Sequence, residues 1–474
     1  MHRTSIVVAV ALSLPSALAA QVAAQAAAPA AAPAAATVAR LTDSLATAFL
    51  AAKEAPSVAI AVVRGSDTLV MKGWGKANLE NDVAATGRSV YRIGSITKQF
   101  TAAAVMQLVE QNKVRLDDSI AAHLPGLPAA WRAVTIRQLL NHTSGIPSYT
   151  GLGESWRRRW REEMTPDTLL ALTASAPMWF APGSSYRYDN TGYVLLGMLI
   201  EKHAGRPWAR DIEERFAKPL GLADTRNCGT DSIIPRRVAG YDRTADGTWE
   251  NTAYLAMSQP YAAGALCSTV ADLVRWNQAL HGGRVVSAAS YAAMTTPSGA
   301  AVQRGYGFGL AKDTIAGRTV IVHGGGIHGF SAGNLWVPSA RLSVTVLSNS
   351  SSADADALVG QVARAALGAP IAVASAGAPK PVPLAAADRD RYTGIYALDL
   401  PGGPRDFTIA ASGEGLTLQL AGQGAVPAIH YGNHTFGAGF DPSLRLIFTV
   451  ENGKATKVTL VQGGGRFEGK RKAG

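Results

Sequence analysis

The chain has 474 residues, 47% of them hydrophobic and 17% charged, with 49 glycines and 24 prolines. That apolar fraction supplies a sizeable core and excludes a fully disordered chain, the glycines and prolines follow no collagen period, and the length predicts two or three domains. The formal net charge of +11 is thinly spread and has no recognised nucleic-acid motif beside it, so no nucleic-acid partner is expected.

Residues 1–19 read as a secretory signal peptide. His2 and Arg3 precede an apolar stretch that ends in Ala17-Leu18-Ala19, with small residues where a peptidase cuts. The stretch is too short and wrongly flanked for a lasting span, and no later apolar run, 193–196 and the six residues of 58–63 included, is long enough to cross a bilayer. An exported chain, periplasmic or secreted, with no membrane span after cleavage is expected. Residues 20–36 are almost entirely Ala, Pro and Gln and read as a flexible tether.

From there the pattern predicts a helix over 37–53 and strands over 57–64 and 68–74. An amphipathic helix follows over 95–112, where Phe100, Ala104 and Leu108 are spaced by four. Residues 130–300 read mostly as helices and loops. Strands return at 317–323, 330–337 and 342–348, and a helix at 353–367. Strands at both ends with helices between predict one sheet built from both ends of a 37–367 domain, beside a helical insertion. Residues 368–385, rich in Ala and Pro, read as a linker. Beyond it Leu416, Leu418 and Leu420 alternate with polar or small residues. Asn452-Gly453 between 444–451 and 454–461 is a hairpin signal, because both turn residues take positive φ. Residues 386–474 therefore read as a small antiparallel β domain.

Three segments carry candidate chemistry. Ser95-Ile96-Thr97-Lys98 opens a predicted helix, and positions i and i+3 share a helix face, so a hydroxyl and an amine lie side by side. A serine is a weak nucleophile until a base takes its proton, and a lysine is such a base once burial lowers its pKa. Tyr188-Asp189-Asn190 precedes a helix apolar nearly all round, hence buried. A tyrosine held beside Ser95 can shuttle a proton to a leaving group, and an asparagine can orient an amide. His323-Gly324-Gly325-Gly326 directly follows the predicted strand 318–322. Its glycines let a substrate approach a strand edge, whose N–H groups can stabilise an oxyanion.

In this order the three segments resemble the motifs of the serine β-lactamase and penicillin-binding-protein family, Ser-x-x-Lys, Tyr-x-Asn and Lys/His-x-Gly. The Tyr-x-Asn form resembles the class C-like branch, as do 139–147 (LLNHTSGIP) and 268–273 (STVADL). The resemblance covers roughly 40–367. It implies an α/β (α+β) β-lactamase/transpeptidase-like fold, an antiparallel sheet flanked by helices plus a helical lobe. A separate C-terminal antiparallel β domain follows, similar to the small barrel-like domains appended to family hydrolases.

By the same resemblance Ser95 is the acylated nucleophile, Lys98 its proton acceptor and Tyr188 the second proton-transfer residue. Asn190 holds the acyl side-chain amide, and His323 and Gly325 lie along the substrate. The oxyanion hole is the backbone N–H of Ser95 and of Gly326. The implied activity is a serine hydrolase acting on D-amino-acid peptides, D-Ala-D-Ala-like, or on esters. Alternatives are a class C-like β-lactamase and a penicillin-binding sensor that acylates without turnover. The substrate is a small molecule or peptide, cell-wall-derived peptides included, and no cofactor or metal is implied. One departure matters. The third motif is His-Gly-Gly where many β-lactamases of this branch have Lys-Thr-Gly, and a histidine is mostly neutral at neutral pH. That weakens the grip on a β-lactam carboxylate and shifts the expectation towards peptidases and esterases.

Other matches are weaker. Tyr431-Gly432-Asn433 repeats the second motif inside the β domain, far from any nucleophile in sequence. Ser331 in a Gly-x-Ser-x-Gly is followed by a strand where an esterase elbow needs a helix. The glycines at 324, 326 and 329 lack the helix of a dinucleotide site, and 464–470 lacks the Ser or Thr of a P-loop. His430 and His434 have no evident third ligand, so a surface pair is expected rather than a metal site. Trp156–Arg161 reads as an exposed basic helix face with buried tryptophan stems. Cys228 and Cys267 form either one disulfide or two separate buried thiols; spacing decides neither.

Overall fold

The computed structural model describes residues 32–244, 246–371, 381–400, 403–413, 415–421, 424–438, 441–462 and 465–472. The signal peptide and most of the tether expected at the N-terminus lie outside these residues. Chain contacts divide the protein into two compact units, one on each side of 372/373.

In the first unit, helix α1 (Ala35–Ala51) leads into strands β1 (Ser57–Arg64), β2 (Asp67–Asn78) and β3 (Val83–Ala84). The helix starts two residues inside the expected tether, where a run of alanines, the strongest helix formers, is free to wind. Helices α2 (Thr97–Glu110), α3 (Thr191–Ala204) and α4 (Val270–His281) belong to the long middle segment. Strands β4 (Ala311–Ile315), β5 (Arg318–Ile327), β6 (Phe330–Val337) and β7 (Leu342–Ser348) follow, then helix α5 (Ala355–Leu367). The sheet order is β3-β2-β1-β7-β6-β5-β4, every neighbouring pair antiparallel, so β1 and β7 close the two ends of the segment onto each other.

The burial of β1 explains why its sequence is apolar without alternation. Val58, Ile60 and Val62 enter a core shared with α1 and α5, while Ala59, Ala61 and Val63 enter the core under α2 and the helical lobe. Side chains alternate between the faces of a strand, and here both faces are covered. Helix α2 is buried at Thr97–Met106 and runs through the larger core against α3. Leu139, Leu195 and Trp276 belong to that core, so truncating one such side chain costs about 2–5 kcal/mol.

Strand β5 is longer than predicted. It continues through His323-Gly324-Gly325-Gly326 to Ile327, because these residues pair with β6 in register Gly324↔Gly333, Gly325↔Ala332 and Gly326↔Ser331. Glycine weakens a strand in isolation, but the ladder with β6 outweighs that preference.

The second unit is a closed antiparallel barrel of sequential strands. They are β8 (Gly394–Leu400), β9 (Gly403–Ser412), β10 (Gly415–Leu420), β11 (Val426–His430), β12 (Thr435–Ala438), β13 (Asp441–Glu451), β14 (Lys454–Gln462) and β15 (Gly465–Arg471). Pairing of Tyr396 with Arg471 closes the ring. Leu416 and Leu418 point into its core with Tyr396, Phe436 and Phe448, and Asn452-Gly453 turns β13 into β14 with both residues at positive φ. His430 bonds the Val382 carbonyl and His434 the Tyr392 hydroxyl, so the two imidazoles serve different loops.

Candidate active site

Ser95 lies in a single tight turn, Gly94–Ile96, that feeds α2. Gly94 has φ +49° and packs against the backbone of Gly326, while a side chain at Gly325 would collide with the Ile93 carbonyl. Glycines at both positions let the β5 backbone press against the turn that carries Ser95. A cavity of about 350 Å³ opens there, lined by Ser95, Tyr188, Gly325, Gly326, Ser331 and Asp356 together with His323 and Gly324. Ser331 lies on β6 with a strand after it, so it has no elbow geometry, although it reaches the cavity wall.

Lys98 is one helical turn beyond Ser95 and wholly buried. Its Nζ lies 3.1 Å from Ser95 Oγ and donates to Asn190 Oδ1 at 2.8 Å and to the Ala263 carbonyl at 2.9 Å. Burial lowers its pKa to about 7, opposed by the negative charge of Asp189. A neutral amine has two N–H bonds and one lone pair. Asn190 and Ala263 take the two N–H bonds, which leaves the lone pair for the Ser95 hydroxyl.

Tyr188 sits over the lysine, with Lys98 Nζ 4.7 Å from its ring centre. Its hydroxyl is buried without a hydrogen-bond partner among the described residues, and burial raises its pKa far above the usual value; Ser95 is the group that favours its ionised form. The phenol therefore stays protonated at rest and has an unused donor on the cavity wall.

The loop 141–150 positions this tyrosine and Asn190. Asn190 N–H donates to Ser148 Oγ, its Nδ2 donates to Thr150 Oγ1 at 3.0 Å, and Thr191 Oγ1 donates to the Pro147 carbonyl. One amide proton of Asn190 is left for a ligand. His142, fully buried, packs at a tilt against Tyr188 at 4.1 Å between ring centres and accepts the Asp189 N–H on Nδ1.

His323 lines the cavity, with its ring centre 6.3 Å from that of Tyr188. Both of its nitrogens are used within the protein. Nδ1 donates to the Gly324 carbonyl at 2.6 Å, and Nε2 accepts from the Tyr306 hydroxyl at 2.8 Å. Burial, then the nearby Lys98, push its pKa down to about 3, so the ring is neutral and offers no charge to a substrate carboxylate. Tyr306, His142, Asp189, Thr150 and Asp356 were not among the predicted site residues. The HTSGIP run signalled His142, but nothing local marked Tyr306 or Asp356.

The other candidates fall away from the cavity lining. Tyr431 lies in the barrel unit with Arg445 over its ring. Trp156 donates to Gln259, and Arg158 and Arg159 pair with Glu154 and Glu162. Cys228 and Cys267 are free, buried thiols in contact with each other.

The beta-lactamase family model matches residues 42–369. A D-aminopeptidase of Gluconobacter oxydans (strain 621H) is 28% identical over 331 residues, which are 66% of this chain and 59% of that protein. The chain thus spans less than two thirds of that relative. Penicillin-binding protein 4* of Bacillus subtilis (strain 168) is 28% identical over 308 residues, 61% of this chain and 67% of the relative. A solved D-stereospecific amidohydrolase from Streptomyces sp. superposes with a TM-score of 0.61 at 32% identity, covering 69% of this chain and 97% of that structure.

Proposed function

Because the chain belongs to the beta-lactamase family, we propose that it is an exported serine hydrolase that cleaves amide or ester bonds of D-amino-acid substrates through an acyl-enzyme on Ser95. The observation that carries the reading is Lys98, buried and held by Asn190 and the Ala263 carbonyl with its remaining valence towards Ser95 Oγ. Neutral Lys98 takes the hydroxyl proton as Ser95 Oγ attacks the substrate carbonyl carbon. The backbone N–H groups of Ser95 and Gly326 receive the oxyanion. The bond to the leaving group then breaks, and Tyr188 passes a proton to the departing amine or alkoxide while drawing one from Lys98. Water enters, the same groups accept its proton, and the acyl ester is hydrolysed to restore Ser95. The remaining amide proton of Asn190 is left to donate to the carbonyl of an acyl side-chain amide in substrates that carry one.

The leader pattern of residues 1–19 supports export to the periplasm or beyond, and no described helix is long and apolar enough to cross a membrane. The D-aminopeptidase and the D-stereospecific amidohydrolase support the D-amino-acid substrate class. The β-lactamase alternative needs a cation for the drug's carboxylate, and neither Lys nor Arg is among the described residues that line the cavity. The test is D-alanine p-nitroanilide against its L-enantiomer, with intact-mass detection of the acyl-enzyme and with benzylpenicillin alongside. Preferred D-substrate turnover, lost at least about a thousandfold in Ser95→Ala, is expected. Full activity in Ser95→Ala overturns the site, and rapid penicillin turnover without D-substrate cleavage overturns the substrate class.

A further inference from the structure

The cavity in front of Ser95 does not end at β5. A second cavity of about 290 Å³ continues between β4, β5 and α5 and shares His323, Gly324 and Asp356 with the first. The charged side chains that line the two are Asp356 and, further along, Asp313. Both are acidic, in a chain whose net charge is +11. Asp356 stands in the first turn of α5 with its carboxylate against the backbone of Gly324, where even a methyl group would displace it. It makes no ion pair or hydrogen bond among the described residues, and its side chain is open to the cavity. The adjacent His323 brings no compensating charge, since both its nitrogens are satisfied and its ring is neutral.

An unpaired carboxylate in a partly enclosed cleft attracts a cation and repels a second carboxylate more strongly than it would in bulk water. Tyr188, assigned above to proton delivery to the leaving group, lines the same cavity as Asp356, whereas Asn190, assigned to the acyl group, is not among its lining residues; on that assignment the wall faces the departing half of the substrate. We propose that Asp356 is a specificity-determining residue that selects substrates whose leaving group carries a cation and turns away those whose leaving group carries a carboxylate. This rests on the reading of Ser95 as the nucleophile. It separates amide and ester substrates with basic or neutral leaving groups from C-terminal carboxylate peptides and penicillins, whose carboxylate travels with that half.

The test is kcat/KM for three D-alanine esters that differ only in the alcohol: choline, its neutral dimethylbutyl isostere and glycolate. Comparing each variant with wild type cancels the intrinsic reactivity of the esters. In Asp356→Asn the choline-to-neutral ratio should fall about tenfold, the order of one solvent-accessible ion pair, and the glycolate-to-neutral ratio should rise. Asp356→Lys should invert the order. Partial desolvation by the surrounding cleft walls, then the negative charge of Asp354, raise the Asp356 pKa to about 6. The facing groups are Asp354, Asp313 and the neutral His323. The wild-type preference for choline should therefore decline as pH falls through about 6 and be flat in Asp356→Asn. Ratios within about twofold of wild type in both variants overturn the inference alone. No hydrolysis of any of the three esters by wild type overturns it together with the proposed D-amino-acid substrate class.

Discussion

The chain contains Tyr-x-Asn twice, and the two copies live in opposite surroundings. Tyr188-Asp189-Asn190 enters a buried helix, with the phenol unpartnered, Lys98 beneath its ring and the Asn190 amide divided between Lys98 and Thr150. Tyr431-Gly432-Asn433 turns between two barrel strands. There Tyr431 N–H donates to the Thr435 carbonyl, Asn433 takes φ +45°, and the ring lies under Arg445. The letters are the same, but one copy lines the cavity of Ser95, where we propose that it handles protons, and the other is a loop. The difference is burial: only in the first copy is a polar tip held away from water beside an amine of lowered pKa.

The hardest blow to that contrast is Lys98→Arg. A guanidinium stays protonated, so it cannot accept the Ser95 proton; kcat/KM should fall by about a thousandfold or more against D-alanine p-nitroanilide. Retained activity would show that another group is the base. Next comes the paired substitution. Tyr188→Phe should lower kcat about a hundredfold, within the range for one proton-transfer group, whereas Tyr431→Phe should leave it within about twofold. Equal losses would erase the distinction between the copies.

A pH profile sharpens the contrast further. Lys98 must be neutral to act, and burial sets its pKa at about 7. kcat/KM should therefore fall about tenfold per unit as pH drops below 7 and level off above it. A flat profile between pH 5 and 8 would exclude Lys98 as the base. The smallest effect concerns stability. Tyr188 Oη has no well-formed hydrogen bond among the described residues, so Tyr188→Phe should change unfolding free energy by less than about 1 kcal/mol in a urea titration. A larger loss would mean that the phenol holds the fold together rather than serving the reaction.

Much of this was legible locally. The i, i+3 spacing of Ser95 and Lys98 puts hydroxyl and amine on one helix face wherever the helix goes. The two-ended sheet followed from apolar runs at 57–64 and 342–348, and the family match over 42–369 agrees with the resemblance read from three short motifs. Local reasoning failed where long-range pairing decides. The glycines of 324–326 were read as leaving the strand, but their ladder with β6 keeps them in it. His323 lines the cavity beside Tyr188, but no local pattern foretold that Tyr306 and the Gly324 carbonyl would engage both its nitrogens.

The sequence by itself determined which residues could do chemistry, since reactivity type, helix phase and strand period are properties of residues within a few positions of one another. Only the tertiary structure decided their charge states and company. Lys98 loses its proton near neutrality because the surrounding core excludes water, and His323 is neutral for the same reason. Asp356 reaches the cavity of Ser95, 261 positions away in sequence, because β5 and α5 pack together there and Gly324 leaves room for its carboxylate. Desolvation and long-range approach depend on the whole packed chain, so no short stretch of letters encodes them.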